Sequence, residues 1–143
     1  MNRRRATRGT SLVELLIVVS LLGLLAQSAV PGFRLAFETR RVDEAESMLQ
    51  CLWKAERMHW LEHGHFTKDM QDLVAQRLLD RAALVRTGPF RYVVLQADSH
   101  GFAAEAVRIG SAQWNGSLTI NETGVIDGAI AGQGGAHVAP SNP

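Results

Sequence analysis

Residues 9–33 read GTSLVELLIVVSLLGLLAQSAVPGF, and the fold turns on how this stretch is taken. Between positions 12 and 30 the only charged residue is Glu14. A bilayer core of roughly 30 Å needs about 20 apolar residues in helix, so the run is expected to span a membrane. Arg3, Arg4, Arg5 and Arg8 precede it, and the positive-inside rule would hold that end in the cytoplasm. A cleavable secretory signal has the same layout, and Ala26-Gln27-Ser28 offers small residues where a signal is cut. Glu14 argues for retention. A carboxylate at the centre of a membrane helix costs about 2.5–3.5 kcal/mol unless paired, and a discarded signal gains nothing from carrying one.

Pro31-Gly32 punctuates the helix without having to end it, since proline kinks are tolerated in membrane helices. Beyond Phe33 the pattern turns amphipathic. Val42, Ala45, Leu49 and Leu52 fall on one stripe, joined by Met48 and Ala55. Arg40, Arg41, Asp43, Glu44, Glu46, Lys54 and Glu56 are assigned to the remaining, solvated surface. Gly64 after His63 is a C-terminal stop. The whole is one helix of about fifty residues, on the order of 75 Å at 1.5 Å per residue.

Thr67 is placed to cap a shorter helix over residues 68–79, with Met70, Leu73, Val74 and Leu78 pointing inward. Strand signals follow. Residues 90–97 (FRYVVLQA) are aromatic and β-branched, Asp98-Ser99-His100-Gly101 is turn chemistry, and 102–108 (FAAEAVR) reads as the return strand. Residues 118–120 and 125–126 are two further short strands around the turn Asn121-Glu122-Thr123-Gly124. Residues 129–143 (AIAGQGGAHVAPSNP) read as a flexible tail. The expectation is an α+β fold, a long N-terminal helix packed on a small antiparallel β-sheet of three to four strands.

Composition bounds the alternatives. At 143 residues the chain has room for one ordinary domain, and 46% hydrophobic with 20% charged residues is a globular composition. A formal charge of +1 supplies no basic field to attract nucleic acid. A single cysteine excludes an internal disulfide framework and any multi-cysteine zinc site. Cys51 sits beside the Leu49–Leu52 stripe and is read as a small buried apolar residue, with pairing between subunits as the other reading. Trp53 and Trp60, seven apart, share a helix face and serve core or interface packing, with Trp114 as a third apolar anchor.

His59-Trp60-Leu61-Glu62-His63 matches H-x-x-E-H, the inverted zincin pattern, and His65 lies close by. The match is short, and no second acidic helix supplies a third ligand, so neither an enzyme, a resident metal nor any other cofactor is expected. His59, His63 and His65 remain weak candidates for adventitious zinc or copper. Otherwise His59 and Glu62 face solvent at a helix end and His63 meets the terminal carbonyls.

Gly9 followed by Thr10-Ser11-Leu12-Val13-Glu14, the long apolar run and Pro31 resemble the processing region of type IV prepilins and of the related type II secretion pseudopilins. The strand pattern around GSLTINETGV is similar, more loosely, to the carboxyl half of type IVa major and minor pilins. The resemblance implies a pilin fold and a filament subunit without enzymatic activity. It implies that a prepilin peptidase cuts between Gly9 and Thr10, that Thr10 is N-methylated, that Glu14 directs subunit assembly and that Pro31 shapes the helix. Phenylalanine or methionine usually follows the cut in this family, where this chain has Thr10. The implied organisation is a basic leader over 1–9, an apolar membrane and assembly helix over 10–33, its amphipathic half over 34–63, a head over 64–128 and the tail over 129–143. The implied partners are copies of the chain and sister pilins, the peptidase, an inner-membrane assembly platform and, before assembly, membrane lipid. The implied location is the bacterial inner membrane as a single-pass protein, then a periplasmic or extracellular fibre. Loss of residues 1–9 would leave 11 basic against 14 acidic side chains, formally −3. A secretion pseudopilin, a secreted periplasmic protein and a membrane-anchored metalloenzyme are the other readings.

Overall fold

The computed structural model describes residues 11–82 and 88–141, the side chains of 27–31 excepted. Two helices and five strands follow in order: α1 (Leu12–His63), α2 (Met70–Ala75), β1 (Phe90–Ala97), β2 (Phe102–Arg108), β3 (Trp114–Asn121), β4 (Ile126–Gly132) and β5 (His137–Val138). The chain divides into two units, Met1–Ala36 and Phe37–Pro143, and α1 contributes to both. In the first unit the described residues are helix from Leu12 onward, and α1 continues through Pro31.

In the second unit the strands form a meander of order β1-β2-β3-β4-β5, every neighbouring pair antiparallel. Inward positions alternate as a half-buried sheet requires. Phe102, Ala104 and Ala106 of β2, Leu118 and Ile120 of β3, and Ile126 and Ile130 of β4 are all buried. They share one core with Val42, Ala45, Leu49, Leu52 and Ala55 of α1, the stripe expected from the sequence. The fold is therefore α+β, as expected, with a larger sheet. Its fifth strand and most of β4 come from residues read as a flexible tail. Gly134 and Gly135, both at positive φ, turn the chain so that Ile130 pairs with Val138 and Ala131 with His137. Glycine content marked the turn, and the apolar residues on either side of it supplied strands.

Gly64 ends α1 as expected, with φ of +76° and its N–H donating to the Trp60 carbonyl at 2.8 Å. The second helix is shorter than the 68–79 expected and is capped two residues later. Asp69 accepts from the Gln71 N–H at 2.8 Å, whereas Thr67 Oγ1 accepts from the Asp69 N–H. Arg77 adopts φ of +61°, and the N–H groups of Leu78 and Leu79 both turn back to the Leu73 carbonyl, which closes the helix early.

Three carboxylates of α1 join its aliphatic stripe on the buried side. Glu38, 1% exposed, accepts hydrogen bonds from Nε and Nη2 of Arg108 at the end of β2 and from Nη1 of Arg41. Arg108 also donates to the Pro89 and Ile109 carbonyls, so its guanidinium ties α1 to both strands at the open end of the β1–β2 hairpin. Burial opposes ionisation of Glu38, but the two arginines outweigh it and hold the carboxyl below its ordinary value of 4.5. Glu46 accepts from Ser141 twice, from the N–H at 2.7 Å and from Oγ at 2.9 Å, which fastens the C-terminal segment to the helix. Glu56 is fully buried. Glu46 and Glu56 thus leave the solvated surface to which the sequence had assigned them. Each sits within reach of a polar group brought from far along the chain.

Removing one side of these contacts separates their strengths. Arg108→Ala should lower unfolding free energy at pH 7 by about 3 kcal/mol, because it leaves a buried carboxylate with the half-exposed Arg41 as its remaining cation. The lowered value of Glu38 adds stability that is complete above pH 4.5 and lost as pH falls through the folded value. The penalty of Arg108→Ala in urea titrations should therefore shrink on acidification below that point. Glu46→Ala should cost about 1.5–3 kcal/mol, with hydrogen exchange accelerating first at residues 137–141.

Candidate functional site

The candidate assembly site lies at the start of α1. Ser11 starts α1, its carbonyl accepting from the Leu15 N–H at 3.1 Å and its Oγ from the Val13 N–H at 3.3 Å. Glu14 lies in the first helical turn, where a negative charge meets the positive end of the helix dipole. Gly9 and Thr10 lie outside the described residues, as does the side chain of Pro31.

Around Glu14 the helix is apolar on every side, and its apolar residues are uncovered. Leu12, Val13, Leu15, Leu16, Ile17 and Val18 are exposed, and so are Leu21, Leu22, Leu24 and Leu25. Monomeric soluble proteins rarely leave so continuous an apolar surface open, so it marks a site of interaction with protein or lipid. Among the described residues no helix is long and apolar enough to cross a membrane. The span expected over residues 12–30 is therefore not supported by the described helices.

The histidines at the other end of α1 form a compact cluster. The rings of His59 and His63 stack at 4.3 Å and 16°, and His65 sits 5.4 Å and 6.2 Å from them. His59 is buried, contrary to its expected place in solvent, because Nδ1 bonds the His65 carbonyl at 3.0 Å across the loop that follows the helix. His63 Nδ1 bonds the His59 carbonyl and His65 Nδ1 the His63 carbonyl, each at 3.1 Å. A carbonyl can only accept, so each Nδ1 carries the proton. Among the described residues no group of three or more His, Cys, Asp or Glu could hold a metal ion. Glu62 is exposed. The H-x-x-E-H spacing therefore belongs to a helix end folded back on its own loop.

Glu56 lies one turn before His59 on the same helix. Its Oε2 accepts from the Thr67 N–H at 3.0 Å, while Oε1 is a buried oxygen with no hydrogen-bond partner. Burial pushes this carboxyl up to about 7, against the opposing pull of the Thr67 amide. The sequence signal for it was available. Glu38, Val42, Ala45, Leu49, Leu52, Glu56 and His59 alternate four and three apart, so the acids and the histidine fall in the same seam as the aliphatics.

Two tryptophans hold the head by their indole N–H groups. Trp53 donates to the Glu122 carbonyl at 2.9 Å, and a Cβ on Gly124 (φ +83°) would strike its ring, so this glycine admits the indole to the β3–β4 turn. Trp60 donates to the Ser99 carbonyl at 3.3 Å and stacks on Phe66 at 6.2 Å. Cys51 is exposed rather than buried, on the wall of an apolar cleft of about 380 Å³ that also includes Met48, Met58, Leu78 and Leu79. It lies two residues beyond Leu49, about 200° round the helix from it, which turns the thiol off the core face.

No family model matches the chain. It is 36% identical over 61 residues to the type IV major pilin protein PilA of Myxococcus xanthus (strain DK1622). The matched part is 42% of this chain and 27% of that protein, so the chain spans about a quarter of the length of the curated relative it matches. That similarity, together with a long N-terminal helix and an antiparallel sheet, supports a type IV pilin family for this chain.

Proposed function

We propose that the chain is a structural subunit of a type IV pilus or a pilus-like cell-surface filament, assembled through its N-terminal helix. The observation that carries this reading is the uncovered apolar helix bearing one acid, Glu14, in its first turn. The similarity to a pilin supports it and points to a structural, non-enzymatic role. In the proposal a prepilin peptidase cuts after Gly9, and Thr10 becomes the N-terminus and is methylated. The apolar run holds the subunit in the inner membrane as a single-pass protein until an assembly platform withdraws it into the fibre, and Pro31 sets the bend of its helix.

The chemistry of Glu14 follows from its surroundings. A lone carboxylate among apolar side chains is costly, and so is a lone α-amine, while a pair is tolerated. Cleavage before Thr10 creates such an amine on every subunit. Pairing it with Glu14 of the neighbouring subunit makes one axial register cheaper than the others, and packing of the apolar surfaces then supplies the bulk of the association.

Glu14→Ala tests that role apart from folding of the head, because the residue belongs to the other unit of the chain. The variant should accumulate in the membrane fraction at the wild-type level. Its incorporation into sheared surface fibres should fall at least about tenfold, because losing one partner of a desolvated pair costs about 3–5 kcal/mol. Incorporation equal to wild type would remove Glu14 from assembly.

A further inference from the structure

The loop between α1 and α2 is anchored in the core by Phe66, and its remaining contacts are made by groups that titrate or that contact titrating groups. Glu56, fully buried, accepts from the Thr67 N–H at one oxygen and has no partner at the other. His59 holds the His65 carbonyl, and His63 and His65 pack against the same ring. From α2, Asp72 accepts from Thr67 Oγ1 at 3.3 Å. From the β1–β2 turn, the Asp98 carbonyl accepts from the Phe66 N–H at 3.0 Å. Gly64, at positive φ, is the hinge at the start of the loop.

We propose that residues 64–67 form a pH-operated latch, closed while Glu56 is protonated and released when it ionises. An ionised carboxylate seeks donors at both oxygens, and the closed loop offers Oε2 one amide and Oε1 none. The Thr67 N–H bond strengthens on ionisation but leaves the second oxygen charged and dry. Water can reach it only if something moves. The α1 backbone is fixed by its own hydrogen-bond ladder, whereas the loop is attached through Thr67, His65 and Phe66 and turns on Gly64. The histidines do not work the latch, because an Nδ1–H donates to a carbonyl whether its ring is neutral or charged. Asp72 and Asp98 are the acids of the elements that contact the loop, and burial rather than their charge is what opposes ionisation of Glu56.

The direction is fixed by linkage. A carboxyl held above its ordinary value in the closed state loses closed-state stability as pH rises from that ordinary value through the raised one. Loop opening in the full chain should therefore increase by roughly 70-fold between pH 5 and pH 8. Hydrogen exchange at the amides of residues 64–67, corrected for the intrinsic pH dependence of the chemistry, reads it directly. Amides of β2 and β3 serve as the reference. In Glu56→Gln, which keeps an oxygen for the Thr67 N–H and cannot ionise, the opening should be pH-independent. Carboxyl ¹³C titration of Glu56 in the wild-type chain gives a readout that does not depend on the variant folding, and its midpoint should coincide with that of loop opening. A flat wild-type profile, a pH dependence that persists in Glu56→Gln, or a carboxyl midpoint distinct from the opening midpoint would each overturn the latch.

Discussion

One seam of α1 holds the head together. At positions 38, 42, 45, 49, 52, 56 and 59 the helix buries, in turn, an acid, four aliphatic residues, an acid and a histidine. The aliphatics give the sheet an apolar floor. The acids at either end, with Glu46 beside the seam, reach polar groups that the chain delivers from β2, from the C-terminal segment and from the α1–α2 loop. Burying aliphatic surface is favourable but non-directional. The carboxylates add direction, because each contact has one partner and fails if the strand or loop is displaced. Such a division suits a head with a single cysteine, which cannot close its C-terminal segment by an internal disulfide. The bidentate hold of Glu46 on Ser141 does that work noncovalently.

The parts legible in the sequence were those set by short-range periodicity. The strands at residues 90–97 and 102–108 have the bounds that alternation and turn residues gave them, and Gly64 stops the helix where a glycine after a basic turn should. What was not legible depends on partners distant in sequence. Glu46 reads as a surface charge until Ser141 is brought to it across 95 residues, and the pairing of Glu38 with Arg108 likewise spans 70 residues. The 129–143 stretch reads as a tail because its glycines weaken strand propensity, yet β3 provides a ready-made edge on which β4 and then β5 can add. His59 looks exposed on a helix that is about to end, and is buried because the loop folds back over it. Four-three spacing did carry a warning about Glu38, Glu56 and His59, which stand in the aliphatic seam.

The candidate assembly site differs in kind. Its sequence is apolar with one acid, and its described side chains are uncovered. On the proposed reading the helix calls for an apolar partner and a positive charge for Glu14. The head, by contrast, satisfies its own buried groups, with Glu56 Oε1 as the buried side-chain oxygen left unpartnered among the described residues. A self-sufficient head and an unsatisfied helix fit the proposed filament subunit, whose helix would find its partners in other copies.

Sequencing the N-terminus of the chain recovered from purified surface fibres tests the central claim most directly. The account predicts that the chain is present in the fibres and begins at Thr10. Its absence from them, or a mature N-terminus at Ala29 after loss of the whole apolar run, would contradict the account.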